Sequence, residues 1–219
     1  MRLVIFDLDG TLIDSVALIV ETVTAAFEAV GEPVPTEAAI RSISGITARD
    51  AMGILAPGAA GERLENILDS YRREYGARAG VGREPLFKGA LETLERLRHH
   101  PDTTLAVATG KGFTGATALL SAHGIIDWFN SLETPTHNRG KPDPQMLETA
   151  MEKAGASKAE TVMVGDTVHD MRMARAAGVA AIGVAWGYHE VVELRQAGAD
   201  IVVDDFAGLE AAIDRLLGS

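Results

Sequence analysis

Two aspartates stand two residues apart at the end of an apolar run, in Val4-Ile5-Phe6-Asp7-Leu8-Asp9-Gly10-Thr11-Leu12. Carboxylates that close repel one another, and a fold gains nothing from the pair unless a cation or a proton lies between them. The run itself reads as a buried strand. Its acids then fall at the C-terminal edge, where open parallel sheets bind ligands. Two further runs end in reactive groups. Leu105-Ala106-Val107-Ala108 leads into Thr109-Gly110-Lys111, where a hydroxyl and free backbone N–H groups ahead of a helix make an anion site. Val162-Met163-Val164 leads into Gly165-Asp166, and Asp170 follows at a helix start, where an acid is favourable as a cap. A fourth segment is Lys141-Pro142-Asp143-Pro144. Pro142 holds Lys141 extended, and Asp143 can cap the helix that Pro144 opens, so this geometry fixes where Lys141 points.

The elements that must position these groups alternate. Strand-like runs cover Leu3–Phe6, Thr104–Ala108, Thr161–Val164, Ala180–Ala185 and Ile201–Val203, with a weaker one at Trp128–Leu132. Helical patterns cover Ala90–Arg98, Thr114–His123, Pro144–Ala154, Val168–Ala177, Glu190–Gln196 and Leu209–Leu217. Such alternation predicts an α/β fold, a Rossmann-like parallel sheet with helices on both faces. One gap is anomalous: the first two strands stand far further apart than a single crossover needs. Within it, Val16, Ile19, Val20, Val23 and Phe27 keep helical spacing, as do Leu64, Ile67, Leu68 and Tyr71. Pro33, Pro35 and the stretch Ala56–Gly61 mark loops, and Gly80-Val81-Gly82 reads as a flexible return. The expectation is an all-helical cap over residues 15–83, inserted into a core formed by residues 1–14 and 84–219. A lid there would exclude water and contact the substrate.

Composition bounds the partners. The chain has 219 residues, no cysteine and a formal net charge of -11. Thiol catalysis and thiolate metal sites are excluded. Nucleic acid would be repelled, and no lysine–arginine cluster offsets this locally. An anionic substrate would need local positive charge at its site. Asp7 and Asp9 interrupt the apolar run near the N-terminus, so no signal peptide is expected there. No apolar stretch approaches the ~18 residues that would span a membrane, and a cytoplasmic protein is expected.

The pattern Asp7-x-Asp9-Gly10-Thr11 resembles the haloacid dehalogenase-like hydrolases, which are mostly magnesium-dependent phosphatases. The resemblance extends in chain order through Thr109, Lys141 of Lys-Pro-x-Pro, and Asp166 and Asp170 of Gly-Asp-x-x-x-Asp. Within the superfamily the chain resembles the phosphoglycolate phosphatase-like branch, whose members often carry Asn-Lys where this chain has Gly110-Lys111. The resemblance implies that Asp7 is a nucleophile forming an aspartyl phosphate and that Asp9 is the general acid and base. Lys141, Thr109 and the Gly110 N–H would bind the phosphate. Metal ligands would be Asp7, the Asp9 backbone carbonyl, Asp166 and Asp170.

Four carboxylates facing a phosphate need a cation. Two like charges ~4 Å apart repel by ~4 kcal/mol at an effective dielectric of 20. An oxygen-only donor set without cysteine selects Mg²⁺. The six histidines are scattered and are expected not to be ligands; His169 is expected to face solvent. Gly110-Lys111-Gly112-Phe113-Thr114-Gly115 also spells a dinucleotide fingerprint, with Glu133 about twenty residues on. Its place after the second strand, not the first, argues for backbone contacts to a single phosphoryl group instead.

The substrate expected is a small phosphorylated metabolite, phosphoglycolate-like or a sugar phosphate. A phosphosugar mutase is the alternative, because Gly45-Ile46-Thr47-Ala48-Arg49 resembles the substrate loop of sugar-phosphate mutases, in which an arginine grips a phosphate. Arg49 is thereby a candidate specificity residue. Pyrophosphate hydrolysis, dehalogenation and a non-catalytic binding module are lesser alternatives. Oligomeric state is not legible.

Overall fold

The computed structural model describes residues 1–80 and 82–218. In chain order the elements are β1 (Arg2–Phe6), α1 (Val16–Ala29), α2 (Glu37–Ser42), α3 (Ala48–Leu55), α4 (Glu62–Arg78), α5 (Ala90–His99), β2 (Thr103–Ala108) and α6 (Phe113–Ala122). They continue with β3 (Ser131–Glu133), α7 (Gln145–Ala154), β4 (Thr161–Gly165), α8 (Val168–Ala177), β5 (Ala180–Val184), α9 (Val191–Ala197), β6 (Ile201–Val203) and α10 (Leu209–Leu217). The sheet order is β3-β2-β1-β4-β5-β6, with every pairing parallel. This is the doubly wound arrangement expected. β1 is its switch point, and the crevice beyond its C-terminal end is where this topology binds ligands.

The alternation of side chains along β1 builds both faces. Val4 and Phe6 pack with Leu94 of α5, Leu120 of α6 and Ile213 of α10. Leu3 and Ile5 pack with Leu147 of α7, Met171 of α8 and Leu194 of α9. Both faces are covered, so β1 is wholly buried and apolar from Leu3 to Phe6. Asp7 directly follows Phe6 past the sheet edge, and there the acids begin.

Helix ends follow local chemistry. Thr36 and Thr47 cap α2 and α3 by accepting from Ala39 N and Asp50 N, at 3.2 and 3.1 Å. Gly178 ends α8 at φ +75, a left-handed conformation that lets the chain turn directly into β5. The Asp143 carboxylate accepts from Gln145 N at 3.0 Å, but α7 starts at Gln145 with Pro144 at its cap position, so Asp143 stands one residue before the cap expected of it.

One boundary differs from the sequence reading. Trp128–Leu132 is not a strand from its start. Ile126–Trp128 forms a 3-10 turn, and β3 runs only from Ser131 to Glu133. Trp128 packs on the apolar cluster below α5 and α6 instead, with the Arg98 guanidinium 4.7 Å above its ring. The anomalous gap holds α1 to α4. They close their own apolar cluster around Val23, Phe27, Ile40, Met52, Ile67 and Leu68, and α1 packs along α4. Of the Gly80-Val81-Gly82 return, Val81 lies outside the described residues. No helix among the described residues is long and apolar enough to cross a membrane.

Candidate active site

Three strands end at one crevice. Asp7 follows β1, and its N–H donates to Val164 O at 2.9 Å. The ladder thus pins the main chain while the carboxylate leaves the sheet edge. Asp166 follows β4, and Asp170 sits in the first turn of α8. Lys141 Nζ lies 2.8 Å from Asp7 Oδ1 and 2.6 Å from Asp170 Oδ1, and all three side chains are buried. These are ion pairs by distance but not hydrogen bonds by direction: both oxygens of Asp7 and Oδ1 of Asp170 are buried without a hydrogen-bond partner.

Asp170 does both jobs its position allows. Its Oδ2 accepts from Thr167 N and Thr167 Oγ1 at 3.0 and 2.7 Å, completing a capping box. Its other oxygen turns to Lys141. Asp166 is held from two sides, accepting from Thr11 Oγ1 at Oδ1 and from Tyr188 N at Oδ2, each at 2.8 Å. Glycine makes the room. A side chain at Gly10 or Gly187 would collide with Asp166, and one at Gly165 would collide with Asp170. Gly10 also takes φ +86, which few other residues adopt.

One oxygen each from Asp7, Asp166 and Asp170 falls within 4.8 Å of the other two. Three carboxylates against one ammonium leave two negative charges, the deficit a divalent cation cancels. Burial pushes the Asp7 carboxyl up to about 7; Lys141 pulls against the rise, while Asp170 and Asp9 add to it. Burial, followed by the charges of Asp7 and Asp170, holds Asp166 well above the usual carboxylate range. For Lys141 burial works against the charged form, but Asp170 and Asp7 outweigh it and its pKa rises. The donor set and its unpartnered oxygens therefore fit a hard cation.

The Asp9 carboxylate lies outside this trio. Its Oδ1 is 3.3 Å from Lys111 Nζ, so any ligation through Asp9 falls to its main chain. Lys111 is half-buried, 3.3 Å from Glu84 Oε1 and 4.5 Å from the centre of the Tyr75 ring. Its ammonium donates to the Tyr75 hydroxyl, and that hydroxyl donates to Glu84 Oε1. Burial opposes the Lys111 charge, but Asp9, Tyr75 and Glu84 overcome it and its pKa rises. Glu84 and Tyr75 escaped sequence reading because they converge from separate segments. The one available signal was a lysine directly after Thr109-Gly110. Gly187 and Tyr188 carried no signal at all.

Thr109 is buried at the end of β2, where its Oγ1 accepts from Lys111 N at 3.2 Å. Gly110 lies against the carbonyl oxygens of Gly45 and Ile46, with no space for a side chain between them. A cavity of about 800 Å³ opens here, bounded by Asp7, Asp9, Thr109, Gly110 and Lys111 on the sheet side and by residues of α1, α3 and α4 opposite. Arg49 reaches its rim but pairs with Glu65 at 2.5 Å. Glu133 is bound to Lys153 and Asn138, at 2.7 and 3.0 Å, so it is not free for a ribose. His169 does not face solvent freely. It is half-buried, its ring 5.9 Å from that of His189 in an edge-on contact, because the turn after β5 brings His189 against α8.

The family model described as haloacid dehalogenase-like hydrolase matches residues 4–184. The chain belongs to the haloacid dehalogenase-like hydrolases. Among relatives of this family, the protein named "Probable phosphatase IndB" of Dickeya dadantii is 39% identical over 98% of this chain and 94% of its own length. A phosphoglycolate phosphatase of Agrobacterium fabrum is 33% identical over 96% and 91%. The crystal structure of a hydrolase from Pseudomonas syringae superposes with a TM-score of 0.87 at 29% identity, covering 99% of each chain. Family and enzyme class are thus as the motifs predict: a hydrolase of this superfamily, with phosphatases as its full-length relatives.

Proposed function

We propose that this haloacid dehalogenase-like hydrolase is a Mg²⁺-dependent phosphomonoesterase acting on a small phosphorylated metabolite. One observation carries the reading. Asp7 is buried with both oxygens lacking hydrogen-bond donors, beside Lys141 and at the cavity floor. A carboxylate so placed has its lone pairs directed at whatever enters, which is what a nucleophile requires.

In this reading an Asp7 oxygen attacks phosphorus in line with the ester oxygen. The new acyl–phosphate bond forms as the ester P–O bond breaks, and Asp9 gives its proton to the departing alkoxide. Asp9 then takes a proton from a water molecule. That water attacks the phosphorus of the aspartyl phosphate, releasing inorganic phosphate and restoring Asp7. Lys141, Thr109 and the Gly110 N–H offset the charge that spreads over the phosphoryl oxygens. Asp7, Asp166 and Asp170, with the Asp9 carbonyl, would hold Mg²⁺, which when bound neutralises charge between the nucleophile and the phosphate. Residues 15–83 serve as a cap over the core of residues 1–14 and 84–219, excluding water as the ester binds. The net charge of -11 argues against nucleic-acid partners, and we place the enzyme in the cytoplasm.

The relatives' names make phosphoglycolate and sugar phosphates the first substrates to try. The test is inorganic phosphate release with and without Mg²⁺ across phosphoglycolate, sugar phosphates, nucleotides and pyrophosphate, with Asp7→Asn as the blank. Mg²⁺-dependent release that Asp7→Asn abolishes is the expected result. Release that survives in that variant would remove Asp7 as the nucleophile. Rearrangement of a sugar 1-phosphate to its 6-phosphate would make the enzyme a mutase and give Arg49 a phosphate to grip.

A further inference from the structure

The cavity over Asp7 is built for more than a two-carbon acid. Its volume, about 800 Å³, lies in the range that holds drug-sized ligands. The wall opposite the carboxylates is formed by Ile19, Val23, Ile43, Ile46, Met52 and Tyr71. Val23, Ile43 and Met52 are buried and belong to the apolar cluster of α1 to α4, so this wall is continuous with a packed core. Water against such a wall is released when an apolar group covers it, at about 25 cal/mol per Å².

The cations of the cavity are already engaged. They are Arg49, Arg72 and Lys111. Arg49 pairs with Glu65 at 2.5 Å and Arg72 with Asp69 at 2.9 Å. Lys111 lies between Asp9 and Glu84. Asp7 adds another negative charge to the floor. A substrate carrying a second anion, such as the carboxylate of phosphoglycolate or the second phosphate of a bisphosphate, would have to displace one of these carboxylates to find a cation. A desolvated anion without a partner is costly.

Given the phosphomonoesterase reading, on which this rests, we infer that the enzyme's substrate carries the phosphate as its only anionic group, on a neutral leaving group with a substantial apolar body. The phosphate meets Lys141 and the floor, and the body lies against the wall of Ile19, Val23, Ile43, Ile46, Met52 and Tyr71.

The experiment compares kcat/KM for phosphoglycolate, hexyl phosphate and 2-phenylethyl phosphate with the wild-type Mg²⁺ enzyme. All three release primary alkoxides, so the chemistry is matched. The inference expects the two neutral esters to exceed phosphoglycolate by at least roughly tenfold, the scale on which apolar pockets discriminate. Ala51→Leu, which adds bulk to the cavity wall, is expected to shrink that ratio while sparing phosphoglycolate. Phosphoglycolate equal to or ahead of both esters in the wild type overturns the inference and leaves the phosphatase reading standing. Absence of phosphate release from every ester, matching the Asp7→Asn blank, takes down the phosphatase reading and this inference with it.

Discussion

At the scale of single residues, the two lysines divide the acids between them. Lys141 pairs with Asp7 and Asp170, and Lys111 with Asp9 and Glu84. Removing one partner of a buried ion pair leaves the other uncompensated, typically at a cost of ~3–5 kcal/mol. Lys111→Met is therefore expected to lower the free energy of unfolding by about 3 kcal/mol in urea titrations. Adding Glu84→Gln should restore part of the loss. Strict additivity of the two changes would mean that the contacts do not couple. Asp7, Asp9 and Asp166 were legible in the sequence because each interrupts or ends an apolar run, a place where a carboxylate has no packing role. The partners of Lys111 were not. Tyr75 and Glu84 reach it from a helix and a return segment that no local pattern ties to Thr109.

At the scale of elements, the strands do the aiming. β1 and β4 pair in register from Leu3 with Thr161 to Phe6 with Val164, so the residues beyond them emerge side by side. The loop between β5 and α9 then closes on Asp166 through Gly187 and Tyr188. Groups that orient a ligating side chain commonly tune metal affinity ten- to a hundredfold. Gly187→Ala should weaken Mg²⁺ binding by roughly tenfold in calorimetry while far-ultraviolet dichroism stays unchanged; unaltered affinity would show that Asp166 does not depend on this space. Within α1 to α4, Phe27 is the fully buried anchor. Phe27→Ala is expected to cost ~3–5 kcal/mol, with the loss of hydrogen-exchange protection concentrated in those four helices. Protection falling equally in β1 would instead make the helices and the sheet one cooperative unit. Strand and helix positions were read to within a residue or two almost everywhere, since alternation and helical spacing carry that information. The exception, around Trp128, arose because an apolar run also suits a turn packed on a core.

At the scale of the whole molecule, the crevice couples protonation to stability. Asp7 and Asp166 have pKa values raised by folding. The native state without a cation therefore binds more protons than the unfolded chain between the ordinary carboxylate range and about 7. The sign follows: as pH rises through that window, these two groups make the cation-free protein less stable. A bound divalent cation must displace those protons at low pH and finds them gone at high pH. The rise in Tm produced by Mg²⁺ should accordingly be larger at pH 8 than at pH 5.5 in scanning calorimetry. A pH-independent rise would place the cation elsewhere.

The contact between Gly110 and the carbonyl oxygens of Gly45 and Ile46 has a mechanical meaning. It works as a doorstop of zero thickness. Any side chain at this position would act as a wedge between the two halves of the entrance. The resting aperture of this enzyme is therefore set by a missing atom: glycine lets the halves meet backbone to backbone, and a single Cβ would leave the mouth ajar.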